Sequence, residues 1–192
     1  AGILGAAAFY GYCRQGLRVL LLEQATIASA TTAASGGLVH AYPQSMDLDY
    51  AIDFYQNFFE YTGIELTTKF TPVQYYQNDK SWRDAAAFTV SAVAATHAFI
   101  AAAKRAGGSV LEHTALQKLT ITKNRVKQMH TEQNIFSAGL IVLAIGARLP
   151  QFLSQEKVEH SAEISCKRFY YNSYTLAEPM ATAIIDMNNQ LY

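Results

Sequence analysis

The chain is 192 residues long and electrically balanced, with 15 lysines and arginines against 15 aspartates and glutamates. Hydrophobic residues make up 51% of it, which is typical of a globular protein with one good core or two small ones. Because a protein that binds nucleic acid usually carries a basic surface, the neutral balance leads us to expect no nucleic-acid partner. Composition places no constraint on the oligomeric state.

Cysteine and histidine usage argues against a disulfide framework and against a metal site. The only cysteines are Cys13 and Cys166, and the five histidines do not follow metal-ligand spacings. The uncharged run at 85–103 is mostly alanine with serine, threonine and histidine, so it predicts no membrane span. We therefore expect a cytoplasmic protein without a metal ion.

The first 23 residues contain the most informative pattern. Gly2 and Gly5 begin an apolar helix, and a β-rich stretch at 18–22 then closes on Glu23. This order is the second half of a dinucleotide-binding βαβ unit, in which glycines let the backbone approach a pyrophosphate and the helix N-terminus supplies N–H groups. The preceding strand and the first glycine of the motif should lie before Ala1, so we interpret the chain as beginning inside the motif.

The acid at position 23 predicts which dinucleotide is bound. A carboxylate about 20 residues after the glycines, at the end of the second strand, is placed to accept hydrogen bonds from ribose hydroxyls. An acid rather than a basic residue favours an unphosphorylated ribose, and so FAD or NAD over NADP. The alternative interpretation of Gly2 and Gly5 is an ordinary helix start with small residues at a packing contact.

The rest of the chain predicts further helices and strands. A small-residue loop over 25–43 leads into an aromatic helix over about 46–61, whose rings we assign to the core. A short strand through Val90 precedes a helix that Ser91 caps. The other predicted elements are strands at 70–76, 109–112, 116–122, 126–131 and 135–144, a turn at 77–81, and β-leaning runs at 163–171 and 181–185.

This order of elements predicts an α/β protein with two domains. Residues 1–62 and 91–150 are assigned to a discontinuous dinucleotide-binding domain. Residues 63–90 and 151–192 are assigned to part of a second, β-rich domain that binds substrate.

A doubly wound domain binds its ligand at the carboxyl ends of its strands. We therefore expect three segments to converge there: residues 2–5, Glu23 with Gln24, and Gly146.

Three motifs carry a family resemblance. The first is Gly2-Ile3-Leu4-Gly5 with Glu23, the second is the loop at 31–38, and the third runs from Gly107 through a hairpin to the apolar stretch at 142–147. In this order and spacing they resemble the D-amino-acid oxidase superfamily of FAD-dependent oxidoreductases, and most closely its glycine oxidase and sarcosine oxidase branch. The resemblance implies a Rossmann-like FAD-binding domain with a glutathione-reductase-like βαβ unit, beside a β-rich substrate-binding domain.

The resemblance also implies a set of residues that contact FAD along its length. They are Gly2, Ile3, Leu4, Gly5, Thr31 and Thr32 at the phosphates, Glu23, Gln24 and Leu116 at the adenosine, Gly36, Gly37 and Leu38 at the flavin, and Gly146 at the strand end beside them. Small residues let backbone N–H groups approach a ligand and hydroxyls bind phosphate oxygens, so the composition of the loop agrees. A flexible small-residue connection is its alternative interpretation.

Two residues are candidates for the substrate side of the flavin. Tyr192 aligns with a tyrosine that the glycine oxidase branch uses near its substrate, and His40 follows the Gly-Gly-Leu segment at 36–38. Their alternatives are a packing tyrosine and a hydrogen-bonded structural histidine. The family implies that the flavin oxidises the C–N bond of a small amine or amino acid by accepting a hydride.

Two other functions stay open at this stage. A flavin domain of a tRNA-modifying oxidoreductase would need a basic surface, which the balanced charge does not indicate. A non-catalytic remnant of the fold would act as an interaction module. The family's carboxylate-clamping arginine has no counterpart that we identify in this sequence.

Overall fold

The computed structural model describes residues 1–39, 48–68, 70–78, 80–123, 125–158, 164 and 182–186. The helices in this part of the chain are α1 (Ile3–Arg14), α2 (Leu48–Gln56), α3 (Phe58–Thr62), α4 (Ala92–Arg105) and α5 (Leu149–Gln155). The strands are β1 (Leu20–Leu22), β2 (Leu38–Val39), β3 (Thr71–Gln77), β4 (Lys80–Thr89), β5 (Ser109–Leu111), β6 (Lys118–Thr122), β7 (Arg125–His130), β8 (Ile135–Phe136) and β9 (Ala183–Asp186).

A parallel pair of strands, β1 and β5, forms the base of the amino-terminal region. Leu21 lies opposite Val110, and the N–H of Glu23 extends the ladder by donating to the carbonyl of Leu111 at 2.9 Å. Both strands follow a helix, α1 before β1 and α4 before β5, and these helices pack against each other. The predicted α/β class is therefore confirmed, with a parallel sheet beside antiparallel ones.

The main core lies between α1 and α4. Phe9 and Cys13 of α1 pack with Phe99 and Ala103 of α4, and burial raises the pKa of the Cys13 thiol. The predicted helix start at Ser91 is confirmed, because its hydroxyl accepts the N–H of Ala94 at 3.2 Å. The alanine-rich run is thus a buried helix whose small side chains let the two helices approach closely.

A second sheet has the strand order β2-β4-β3-β9. The hairpin of β3 and β4 was expected in outline, and its register shifts between Pro72 and Val73. Strand β9 lies parallel to β3, so residues 183–186 join the same sheet as residues 71–89. Residues 71–89 and 183–186, one stretch from each segment assigned to the second domain, therefore share one sheet, and the domain boundaries stay a prediction.

The predicted hairpin at 116–131 is confirmed as β6 and β7, and β8 adds a short third strand. Lys123 takes a left-handed backbone conformation at the turn, with φ +50°. Helix α5 is attached to this sheet through Glu156, whose carboxylate accepts the N–H of Leu119 at 2.7 Å. Among the described residues, no helix has the length and apolar character that crossing a bilayer requires.

Two predicted elements differ from the structure. The helix expected at 46–61 is interrupted at Asn57, which has a non-helical φ of −107° and donates its side-chain amide to Asp53 at 2.8 Å. The strand expected at 135–144 is wrong beyond Phe136, since residues 137–145 form no ladder within the described chain. Apolar side chains alone do not make a strand; the backbone also needs a partner edge for its N–H and C=O groups.

Candidate functional site

The amino end of α1 presents backbone N–H groups toward open space. The N-cap residue, Gly2, gives no side-chain cap, and the first turn contains no acidic residue. The N–H of Ala6 donates to the carbonyl of Gly2 at 3.0 Å, whereas the N–H groups of Leu4 and Gly5 have no acceptor among the described residues. Two free donors at the positive end of a twelve-residue helix attract an anion.

Thr32 positions this helix end. Its hydroxyl accepts the N–H of Ile3 at 3.0 Å, and the residue is only 7% exposed. A Cβ added to Gly2 would lie 2.8 Å from the same hydroxyl oxygen, so only a glycine fits there without moving Thr32. Thr31, by contrast, is exposed. The structure therefore brings Gly2, Ile3 and Thr32 together, and the predicted role of these residues at the phosphates stays a prediction.

Glu23 lies at the carboxyl end of β1 with its carboxylate held in place. The N–H of Ala25 donates to one carboxylate oxygen at 2.8 Å, and the other oxygen lies beside the backbone nitrogen of Ala1. The side chain is 13% exposed, and the Ala25 N–H compensates for part of the water that the carboxylate loses. The backbone carbonyl of Glu23 accepts the N–H of Thr114 at 2.7 Å, which ties β1 to the chain beyond β5.

The far end of the small-residue loop is fastened at Gly37. This glycine has φ +67°, and a Cβ there would lie 1.8 Å from the carbonyl oxygen of Val90. The contact is fixed by a hydrogen bond of 2.9 Å from the N–H of Val90 to the carbonyl of Gly37. Leu38, in β2, then pairs with Thr89 of β4. A Cβ added to Gly36 would meet no atom within 4 Å. The loop is therefore anchored at this end by a backbone contact.

The segment around Gly146 reaches the same edge. A Cβ on Gly5 would lie 3.4 Å from the Cβ of Ala144, and Gly146 has φ +59° at the start of a short 3-10 helix, Gly146–Arg148. The guanidinium of Arg148 donates to the side-chain oxygen of Gln24 at 2.5 Å. The three segments expected at the carboxyl edge do meet there.

Arg148 was not among the residues selected from the sequence. It follows Gly146 closely, but its partner Gln24 is 124 positions away, and no local pattern indicates that pairing. Leu116 is half-buried. It lies two residues after Thr114, whose N–H donates to the carbonyl of Glu23.

The two catalytic candidates, His40 and Tyr192, lie outside the described residues and stay predictions. In the part of the chain that is described, no three histidine, cysteine, aspartate or glutamate side chains meet in a way that would hold a metal ion.

A family model described as "FAD dependent oxidoreductase", named DAO, matches residues 1–88. These residues include α1, Glu23, the threonine loop and the Gly37 anchor. This match covers just under half of the chain. It agrees with the family resemblance of the first two motifs, residues 2–5 with Glu23 and the loop at 31–38. No curated protein sequence is a significant match to the chain.

Solved structures with the same fold are also found. Glycine oxidase from Bacillus cereus ATCC 14579 superposes with a TM-score of 0.69 at 17% identity, over 80% of this chain and 57% of its own length. L-Proline dehydrogenase from P. horikoshii gives 0.78 at 16%, over 99% and 63%. L-Amino acid deaminase from Proteus vulgaris gives 0.74 at 15%, over 83% and 49%. The chain thus spans about half to just under two thirds of these structures.

FAD, the cofactor of the DAO family, fits the residues at this edge. The N–H groups of Leu4 and Gly5 suit a pyrophosphate, because they have no acceptor among the described residues and lie at the positive end of α1. The carboxylate of Glu23, held at the strand end, is the acceptor type that a ribose diol requires. The sequence prediction of FAD agrees with both the family and this arrangement.

Proposed function

We propose that this chain is part of a FAD-dependent oxidoreductase that oxidises the C–N bond of a small amine or amino acid. One observation carries the proposal: the free N–H groups of Leu4 and Gly5 and the held carboxylate of Glu23 share one edge, within the segment that the family model matches. When bound, FAD accepts a hydride from the carbon next to the substrate nitrogen. The chain's own residues bind and orient the reactants.

In this proposal the residues divide along the length of the cofactor. The amides of Leu4 and Gly5 donate to the pyrophosphate, and the exposed hydroxyl of Thr31 is available to a phosphate oxygen. Thr32 acts indirectly, since its hydroxyl is already used to position Ile3. Glu23 accepts hydrogen bonds from the two ribose hydroxyls.

The remaining predicted contacts follow from the same placement. Gln24 and Leu116 contact the adenine. Gly146 takes the left-handed conformation that turns the chain beside the cofactor. Gly36 and Leu38, on either side of the anchored Gly37, flank the flavin.

The substrate class is supported by the structural neighbours. Their names describe enzymes that act on glycine, L-proline and L-amino acids, and they share the fold of this chain at 15–17% identity. We assign the substrate to residues 63–90 and 151–192, with His40 and Tyr192 near the reacting carbon. The pairing of β9 with β3 supports placing these two segments in one unit. We also propose a cytoplasmic location.

The cofactor is tested by heating the purified full-length protein and identifying what it releases. We expect a yellow protein whose supernatant contains FAD, recognised by its absorption spectrum and by chromatography against FAD and FMN standards. A full-length protein that binds NADH and releases no flavin would contradict the proposal.

The reaction class is tested separately, on the flavin-loaded protein. We expect bleaching of the flavin absorption under anaerobic conditions by a member of a panel of glycine, sarcosine, D- and L-amino acids, proline and simple secondary amines. Bleaching by none of them, with the flavin still bound, would reject the amine-oxidising activity and leave the flavoprotein assignment intact.

A further inference from the structure

We propose that Arg148 binds the adenine ring of the cofactor, with Gln24 holding its guanidinium in place. This inference rests on the proposed function, because it assigns a residue to the adenine end of the same site. Its starting point is the hydrogen bond of 2.5 Å between the Arg148 guanidinium and the side-chain oxygen of Gln24, across 124 positions of the chain. Both side chains are exposed, so the pair faces the open edge.

The order of groups along the edge places the guanidinium at the adenine end. The free N–H groups of Leu4 and Gly5 mark the phosphate end, and Glu23 marks the ribose. Gln24 comes directly after Glu23, beyond the carboxyl end of β1, and its side chain is exposed. Arg148 therefore extends the series by one group, from phosphate and ribose to the base.

The chain around Arg148 brings it there without a long flexible connection. Ala144 lies beside Gly5, and the left-handed Gly146 turns the chain into the short helix that contains Arg148. The five residues from Ala144 to Arg148 thus connect the phosphate end with Gln24. Helix α5 begins directly afterwards, at Leu149, and its carboxyl end is bound to β6 through Glu156, so the segment is supported from both sides.

The chemistry of the side chain suits a base. A guanidinium is planar, and it stacks on aromatic rings while its edge N–H groups hydrogen-bond. One of its five N–H donors is used by Gln24. That bond restricts the rotation of the long side chain before the ligand arrives, so less conformational entropy is lost on binding. A lysine cannot reproduce the planar contact.

The test is a titration of the full-length apoprotein with FAD, in the wild type and in Arg148→Ala, Arg148→Lys and Gln24→Ala. We expect Arg148→Ala to raise the Kd for FAD about five- to twentyfold, Arg148→Lys to restore little of it, and Gln24→Ala to have a smaller effect. The matched control is Arg105→Ala, which removes an equally exposed arginine whose guanidinium donates to the carbonyl of Gly63 at 2.5 Å. We expect it to leave FAD binding unchanged.

Competition by two fragments identifies the part of the cofactor that Arg148 contacts. We expect Arg148→Ala to weaken competition by ADP and to leave competition by inorganic pyrophosphate unchanged. Equal losses for both fragments, an unchanged Kd for FAD, or full rescue by lysine would each overturn the adenine assignment while FAD binding by the wild type stands. A wild type that binds no FAD would overturn the proposed function itself, and this inference with it.

Discussion

Two apolar segments lie beside the same site, and only one of them is a strand. Residues 20–22 are three leucines, and residues 140–145 read Leu-Ile-Val-Leu-Ala-Ile. In the first segment all three leucines pair with β5, and Leu21 packs against the main core, although Leu20 is 40% exposed. In the second segment Leu140 and Val142 are 62% and 50% exposed. Composition does not distinguish the two segments.

The difference between them is tertiary. Strand β1 obtains a parallel partner from residues 109–111, almost ninety positions later, and a cover from α1 and α4. Residues 137–145 pair with no strand within the described chain. A strand requires a hydrogen-bonding edge and a buried face, and β1 has both. Close contacts in the segments around it fix their positions, and substitutions that remove these contacts test the comparison.

The largest effect is expected from Gly37→Ala. The new methyl group would lie 1.8 Å from the carbonyl oxygen of Val90, at a residue with φ +67°, so the loop must detach from the end of β4. We expect a loss of at least about 3 kcal/mol in the free energy of unfolding, measured by urea denaturation. The neighbouring Gly36→Ala adds the same group into open space and should cost far less. Similar losses at both positions would remove Gly37 as an anchor.

Gly108→Ala tests the packing of α1 against the end of α4 and the start of β5. A Cβ there would lie 2.5 Å from the ring of Phe9 and 2.6 Å from the sulfur of Cys13, which are both buried on α1. We expect a loss of about 2–3 kcal/mol, because neither group has space to move. Gly11→Ala, also on α1, meets nothing within 4 Å and should stabilise the protein by about 0.5–1 kcal/mol. Stabilisation by both changes would contradict the packing described.

Glu23→Ala tests the cofactor side of β1. If the carboxylate accepts the ribose hydroxyls, its loss should weaken FAD binding by about 1–3 kcal/mol, measured by flavin titration of the full-length apoprotein. Glu112→Ala removes a nearby carboxylate that instead accepts the backbone N–H of Ile27 at 2.9 Å, and should affect stability more than affinity. An unchanged Kd in Glu23→Ala would assign Glu23 to the structure alone.

Thr32→Val should have a smaller effect on stability. The change keeps the shape of the side chain and removes the acceptor of the Ile3 N–H, so we expect a loss of about 1 kcal/mol in thermal or urea unfolding. Thr31→Val is the control, because Thr31 is exposed and does not cap α1. The result to exclude is an equal loss of stability in the two variants.

The smallest effect is expected from a charge in the exposed segment. Val142→Asp should change the free energy of unfolding by less than about 0.5 kcal/mol, since half of the side chain already faces water. Leu21→Asp, in the covered strand β1, should cost several times more. Comparable losses in the full-length protein would show that residues 140–145 have a buried face, and would end the contrast between the two segments.

Local signals were enough to predict much of this region. The helix start at Gly2, the position of Glu23 after a β-rich stretch, the cap at Ser91 and the hairpin around Lys123 were all read correctly from glycines, caps and periodicity. Each of these features depends on residues that are near one another in the sequence, from three positions apart at the Ser91 cap to twelve across the hairpin or about twenty between the glycines and Glu23.

The same local reasoning failed where other residues decide the outcome. The helix expected at 46–61 is divided into α2 and α3 at Asn57, which leaves helical geometry. Asn57 donates its side-chain amide to Asp53, and the Tyr61 hydroxyl also donates to that carboxylate. That hydrogen bond with Asp53 raises the pKa of the Tyr61 hydroxyl. A helix prediction from the spacing of apolar residues takes no account of these polar hydrogen bonds at Asp53.

The sequence by itself therefore determined the βαβ order, the acid at the strand end, the FAD-type motif and the α/β class. Tertiary structure alone decided that β1 pairs with β5, that β9 joins β3 and that Arg148 meets Gln24. It also left residues 137–145 without a strand partner among the described residues. The physical reason is the range of the interactions. Helix caps, turns and amphipathic faces are specified by neighbouring residues, whereas strand partners and an ion–amide contact across 124 positions exist only once the chain has folded.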